Sequence, residues 1–300
     1  MKRRPILWGF IISLVVLALV YLVVKGASRP SRMTYKSSAI FGGEAVGVVE
    51  IDGAIFTAKQ WLEDLKEFED SSEVKAIVLR INSPGGSVGT AQEIYREVNR
   101  LKTKKPVVAS IENIGASAAY YIACASNKIV VNPGSLAGSI GVIYINFNLR
   151  DLYRWAKVQP EVIKSGKFKD LGSTFRDLTY EEKKLLEDML AQLHQQFVND
   201  VARGRNLDVA KVNSIADGRA LTGEQAVKLG LADEFGNFND AIKIAAQLGG
   251  IKGEPQVIYP KHKLKWEMFF ESFSNVVVNK MFELGSVPKY VFGVDGGAER

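Results

Sequence analysis

Residues 74–81 (VKAIVLRI) are almost wholly apolar and run straight into Asn82-Ser83-Pro84-Gly85-Gly86. A strand that is apolar at successive positions has no solvent face. It belongs in the middle of a sheet covered on both sides, which means a largely parallel sheet flanked by helices. The flanking segments read the same way. Residues 46–51 and 107–111 are further strand candidates. Between them, residues 58–69 place Trp61, Leu65 and Phe68 on one helical stripe, and residues 90–101 read as a second helix. Residues 128–131 and 140–145 are predicted strands, and a short helix begins near Ser117. The expected body is therefore α/β.

From Thr179 the chain is predicted to be mainly helical. Thr179 and Glu182 have the spacing of a capping box, as do Thr222 and Gln225. Leu185, Leu186, Met189, Leu193 and Phe197 follow the first box at helical spacing.

Residues 6–24 (ILWGFIISLVVLALVYLVV) carry no charge over 19 positions. As a helix they span roughly 30 Å, the thickness of a bilayer's hydrocarbon layer. A cleaved signal has a shorter apolar stretch ending at small residues, whereas this one ends Val23-Val24-Lys25. An uncleaved anchor is the expectation. Basic residues flank the run on both sides, so charge alone does not orient it.

The division expected is an anchor and linker over residues 1–45, a catalytic domain over 46–249 and a tail over 250–300. The tail carries an apolar stripe of Trp266, Phe269, Phe270, Phe273, Val277, Met281 and Leu284. That stripe suits a helix packed on its own or a neighbouring subunit, or one lying on a membrane surface.

The net charge of +6 is misleading as a whole-chain number. Residues 1–36 hold seven basic and no acidic groups, which leaves 32 basic against 33 acidic in the other 264. The body is balanced, with no footprint for nucleic acid. One cysteine and two histidines argue against a structural zinc site, and no cofactor is expected.

The scarcity of histidine also limits the chemistry. His194 falls inside a predicted helix and His262 in a basic run, neither beside a candidate nucleophile, so a Ser-His-Asp triad is not expected. A lysine can replace histidine as base if a desolvated site lowers its pKa. Ser117 in Gly115-Ala116-Ser117-Ala118-Ala119 follows a strand, precedes a helix and is flanked by small residues that admit a substrate. Such small residues serve close helix packing equally well. The Asn82 to Gly86 turn sits at the end of a buried strand, where α/β sites form. Adjacent glycines there can turn N–H groups toward a ligand, or simply make a turn.

Taken in order, NSPGG, GASAAYYIA, LAGSIGV at residues 136–142, KSGKFKD at 164–170, ADGRALTGEQA at 216–226 and LGLAD at 229–233 resemble the signal peptide peptidase SppA family, in its short form. The resemblance covers roughly residues 46–248. It implies a Clp protease/crotonase-like spiral α/β fold and a serine protease with a Ser-Lys dyad. By motif register, Ser117 falls on the nucleophile and Lys169 on the general base, with Lys164 and Lys167 as neighbours in the same motif. Gly85 or Gly86, with Ala118, falls on the oxyanion donors, and Ser139 on a serine that orients the lysine. The chain departs from the family pattern at Ala118 and Ala119, where glycines are usual.

The resemblance further implies signal peptides and other small or unfolded peptides as substrates, and a homo-oligomeric ring with sites shared between subunits. It implies a bacterial-type cytoplasmic membrane location with the catalytic domain outside the cytoplasm. A crotonase-type acyl-CoA enzyme would use the same glycine loop, usually with carboxylates. A membrane scaffold that lost turnover is the non-enzymatic alternative.

Overall fold

The computed structural model describes residues 43–260. The expected anchor at residues 6–24, most of the linker, His262 and the stripe from Trp266 lie outside the described residues. Among the described residues no helix is long and apolar enough to cross a membrane.

The strands are β1 (Ala45–Ile55), β2 (Val74–Gly86), β3 (Val107–Ala116), β4 (Lys128–Val131), β5 (Leu136–Gly138), β6 (Ala220–Thr222), β7 (Glu234–Phe235) and β8 (Gln256–Ile258). The helices are α1 (Lys59–Asp70), α2 (Val88–Leu101), α3 (Ala118–Ala123), α4 (Arg150–Trp155), α5 (Tyr180–Arg205), α6 (Val209–Asn213), α7 (Gly223–Leu229) and α8 (Phe238–Leu248). All the strands join one sheet, ordered β6-β5-β3-β2-β1-β8, with β4 and β7 branching from β3.

The spine is β1, β2 and β3, which run parallel. Val48, Val78 and Val108 lie side by side in register, as do Val49, Leu79 and Ala109. All six are buried, and the two rows feed cores on opposite faces. The larger core takes Leu65 and Phe68 of α1, Ile94 and Val98 of α2, all of α3, and Phe197, Val198 and Val201 of α5. The smaller one is closed by Ala241, Ile242, Ala245 and Ala246 of α8. Burial on both faces explains why residues 74–81 show no polar alternation. Burying each large aliphatic or aromatic side chain contributes about 1.5–3 kcal/mol.

β3 forks, and the fork positions the site. Its first half, through Ile111, pairs with β4, and its last residues, Ile114 to Ala116, pair with β5. The end of β3 is thereby lifted away from β4 and delivered to the start of α3.

The strand expected over residues 140–145 does not form. The pairing strand is β5 instead, held between β3 and the antiparallel β6. Beyond it Ser139 turns at φ +50, donates its N–H to Arg219 O, and takes the chain out of the sheet. Ile143 and Ile145 are left 81% and 65% exposed.

Both predicted capping boxes form: Thr179 and Glu182 start α5, and Thr222 and Gln225 start α7. Asn237 and Asp240 make a third at α8.

Candidate active site

Ser117 is the residue between β3 and α3, with φ 53 and ψ −121. A non-glycine residue rarely holds positive φ, and doing so costs on the order of 1–3 kcal/mol unless the surroundings enforce it. Here they do. The Ser117 N–H donates to Gly138 O at 2.8 Å, and its own carbonyl accepts from Tyr121 N at 2.9 Å. A sharp strand-to-helix turn of this kind raises a side-chain hydroxyl above the end of a sheet. Ser117 is half-buried, and its Oγ has no hydrogen-bond partner among the described residues.

The glycine turn lies directly against it. A Cβ built on Gly85 (φ 111) would sit 2.8 Å from Ser117 Cβ, 2.9 Å from Ala116 O and 3.0 Å from Ala118 N. One on Gly86 would sit 2.1 Å from Ile55 O. Only glycine fits either place, which accounts for the doublet at the end of β2. Gly85 donates its N–H to Ser83 Oγ at 3.1 Å, and Ser83 is fully buried. Gly85, Ser117 and Ala118 are thus in mutual contact.

Ala118 and Ala119 are the first residues of α3, both buried. Helical backbone does not need glycine, and alanine favours it by roughly 1 kcal/mol. The departure from glycine at these positions therefore fits the turn.

Ser139 follows β5, next to the Gly138 carbonyl that receives the Ser117 N–H. Its hydroxyl donates to Gly218 O at 3.0 Å. Lys169 lies on an exposed loop, and its N–H donates to Gly166 O. The three lysines of that loop differ in one respect. Lys164 is bonded to Asp170 at 2.5 Å, and Lys167 is paired with Glu181. Lys169 Nζ alone has no carboxylate and no hydrogen-bond partner among the described residues, Ser117 included.

Residues 142–178 form an arm whose sole regular element is α4. Its large apolar side chains are uncovered: Ile143, Trp155 and Ile163 are 81%, 82% and 95% exposed. Isolated exposed apolar residues are ordinary, but a concentration of them in one segment marks a contact surface.

Inspection of the sequence missed what fastens this arm. Arg176 bonds both Asp170 and Glu182, at 2.9 Å and 2.5 Å. Asp170 is held well below the usual carboxylate range by the Arg176 and Lys164 hydrogen bonds. Glu182 is lowered to about 2 by Arg176 and then by the Thr179 N–H. The sequence carries part of the signal: Glu182 has capping-box spacing from Thr179, whereas its pairing with Arg176 depends on the fold.

These carboxylates make the arm acid-sensitive. Their folded pKa values lie below the ordinary 3.8 and 4.5, so their stabilisation is complete above about pH 4.5. It is lost as the pH falls from there toward 2. Hydrogen exchange, corrected for intrinsic rates, is expected to quicken in residues 164–182 over that window while β1–β3 stay protected. Equal protection of the arm at pH 6 and pH 2.5 would contradict it.

His194 lies within α5, half-buried. Burial pushes the Cys124 thiol well up, so it is no nucleophile at neutral pH.

Residues 99–252 match the model of peptidase family S49, and residues 36–133 match that of Clp protease. A protein described as a protease in Synechocystis sp. is 45% identical over 205 residues, 68% of this chain and 74% of that one. Another so described in Methanocaldococcus jannaschii is 33% identical over 264 residues, 82% of this chain and 85% of its own. The chloroplastic serine protease SPPA of Arabidopsis thaliana is 36% identical over 206 residues, 68% of this chain and 30% of that protein. The mixed α/β architecture around a central sheet fits the Clp protease match.

Proposed function

The chain belongs to peptidase family S49 and is a serine protease, and from that premise we propose that Ser117 is its nucleophile and Lys169 its general base. The observation that carries the reading is the Ser117 turn, a strained serine with a free hydroxyl packed against a glycine pair. Lys169 is supported by being the one lysine of its loop without a carboxylate partner among the described residues. A lysine held in an ion pair is fixed as the ammonium and has no lone pair to accept a proton.

In this mechanism neutral Lys169 takes the Ser117 proton as Oγ attacks the peptide carbonyl. The C–N bond then breaks, and Lys169 returns the proton to the leaving amine. Water, deprotonated by the same amine, releases the acyl group from Ser117. The negative oxygen is held by backbone N–H groups. Ser87 donates to Ile55 O across to β1. Successive N–H groups of an extended strand alternate sides, so that of Gly86 is turned away from β1. Gly86 and Ala118 are the donors we assign. Gly85 supplies the close approach, and Ser139 helps to orient the lysine.

A lysine works as a base near neutral pH when it is desolvated, and in the single chain Lys169 is exposed. The uncovered arm supports a way for this to happen. A second copy seated on Ile143, Trp155 and Ile163 would bury the loop and complete the site, so the working enzyme is a homo-oligomer, a ring with sites shared between neighbours. Residues 6–24 anchor the chain in a bacterial-type cytoplasmic membrane, with the catalytic domain outside the cytoplasm. The substrates would be signal peptides and other small or unfolded peptides.

A fluorophosphonate probe tests the chemistry. Prolonged incubation should modify Ser117, read by peptide mass spectrometry, and Ser117→Ala should carry no label. Labelling at another serine with equal loss of activity would overturn the assignment.

A further inference from the structure

All five N–H groups of the Arg176 side chain are used. Nε reaches Asp170 Oδ2 at 2.9 Å. One terminal nitrogen reaches Asp177 O at 2.9 Å and Glu182 Oε2 at 2.8 Å. The other reaches Asp170 O at 3.2 Å and Glu182 Oε1 at 2.5 Å. A guanidinium has five donors in a rigid fork, so this one is saturated and its neighbours are fixed in angle as well as distance.

The groups it holds are themselves anchored. Glu182 accepts from Thr179 N at 2.8 Å and belongs to the first turn of α5. The Asp170 carboxylate also takes Lys164, and its carbonyl also takes Ser173 Oγ. The residue adjoining Lys169 is thus tied at both its carboxylate and its carbonyl. Farther along, α5 is seated on the nucleophile helix. Tyr121 Oη bonds Asp200, and its ring lies 4.7 Å from that of Phe197. A Cβ on Gly204 would sit 2.1 Å from Cys124 O, so α5 crosses the end of α3 in direct contact.

We propose that Arg176 is a positioning residue for the reaction of Ser117 and Lys169, fixing the lysine loop to the start of α5 and keeping the Asp170 carboxylate off the Lys169 amine. The proposal rests on Lys169 being the base. The two effects have separate origins. Rigid attachment limits where Lys169 Nζ can go, and small misplacements of a catalytic group are costly in rate. Occupancy of Asp170 is electrostatic, because without Arg176 its Oδ2 would be left open one residue from Lys169, with Lys164 still on Oδ1, and would favour the charged form of Lys169. The other charged groups of the loop and its supports are already committed, as Lys164 with Asp170, Lys167 with Glu181, and Arg150 with Asp177.

The test is the pH dependence of peptide hydrolysis by the full-length chain in its assembled form. Arg176→Gln should lower kcat by about 10- to 100-fold with KM within about two-fold. Its acidic limb should move up by about one pH unit, because Lys169 must lose a proton to act. Adding Asp170→Asn should return the limb to its original place without restoring kcat in full. A purely structural role would lower activity with the limb unmoved, and that result overturns the proposal, as does a limb that stays raised in the double variant. If Arg176→Gln does not fold, Arg176→Lys decides. Its ammonium can reach one carboxylate but cannot fork onto both, so kcat should fall at least about five-fold, and wild-type kcat would refute the proposal. Lys169→Ala is measured alongside. Retained activity there fails the dyad itself, whereas an inactive Lys169→Ala with an unaltered Arg176→Gln fails this inference alone.

Discussion

Lys169→Ala is expected to reduce kcat/KM for an unfolded peptide by about a thousand-fold or more, close to the loss in Ser117→Ala. Groups that act as a unit are not additive, so the double variant should be little worse than either single one. The loss should appear in kcat, because proton transfer from Ser117 belongs to the transition state and not to substrate binding. Lys164→Ala and Lys167→Ala are the informative controls. Their ammonium groups are engaged by Asp170 and Glu181, and their removal loosens the arm without removing a base. Each should cost less than about ten-fold, consistent with the small worth of exposed ion pairs. Steady-state kinetics on the four single variants and the double variant, with assembly checked by sedimentation, decides the order.

Gly86→Ala should be damaging to both stability and rate. The added methyl would lie 2.1 Å from Ile55 O and 2.6 Å from Ile55 C. Both are backbone atoms of the adjacent strand, so no side-chain rotation relieves the contact. β1 and β2 must separate where the turn meets the site, at a cost of about 2–4 kcal/mol, in the range of severe overpacking. The displaced turn carries Gly85 away from Ser117 and misdirects a proposed oxyanion donor, for a further loss of about a hundred-fold in kcat. Gly89→Ala is the control. It lies in α2 with open space around it, so it should be neutral or stabilise by up to about 1 kcal/mol. Thermal unfolding and kinetics of the pair separate a packing requirement from a general intolerance of alanine.

Much of the fold could be read from local pattern. The apolar run at residues 74–81, the stripe through Leu65 and Phe68 and the two boxes at Thr179 and Thr222 are short-range signals, and each sits where expected. The box at Asn237 has Asp240 where Glu or Gln is usual, so its sequence lacks the common signature. Residues 140–145 misled because β-branched apolar residues suit any buried surface. Here Ile140 is buried in the larger core, whereas Ile143, Tyr144 and Ile145 lie exposed on the arm. The site was legible in outline only. Small residues around Ser117 and a glycine doublet are visible in the sequence, but the reasons for them are long-range. Ile55 O excludes a side chain at Gly86, and the contact with Ser117 excludes one at Gly85. In the sequence, motif register alone distinguishes Lys169 from its neighbours; in the structure those neighbours are ion-paired with Asp170 and Glu181, which supports the proposed choice. Arg176 was invisible, since its importance lies in the angle at which it meets Asp170 and Glu182.

The central claim is a Ser117–Lys169 dyad completed between subunits, and mixed assemblies test it most directly. Ser117→Ala and Lys169→Ala chains, differently tagged, are co-expressed and purified through both tags, so that every assembly holds both variants. Where serine and lysine come from adjacent chains in a head-to-tail ring, random mixing should restore about a quarter of wild-type activity, since that share of boundaries joins an intact Ser117 to an intact Lys169. Doubly tagged assemblies as inactive as either parent would contradict the account.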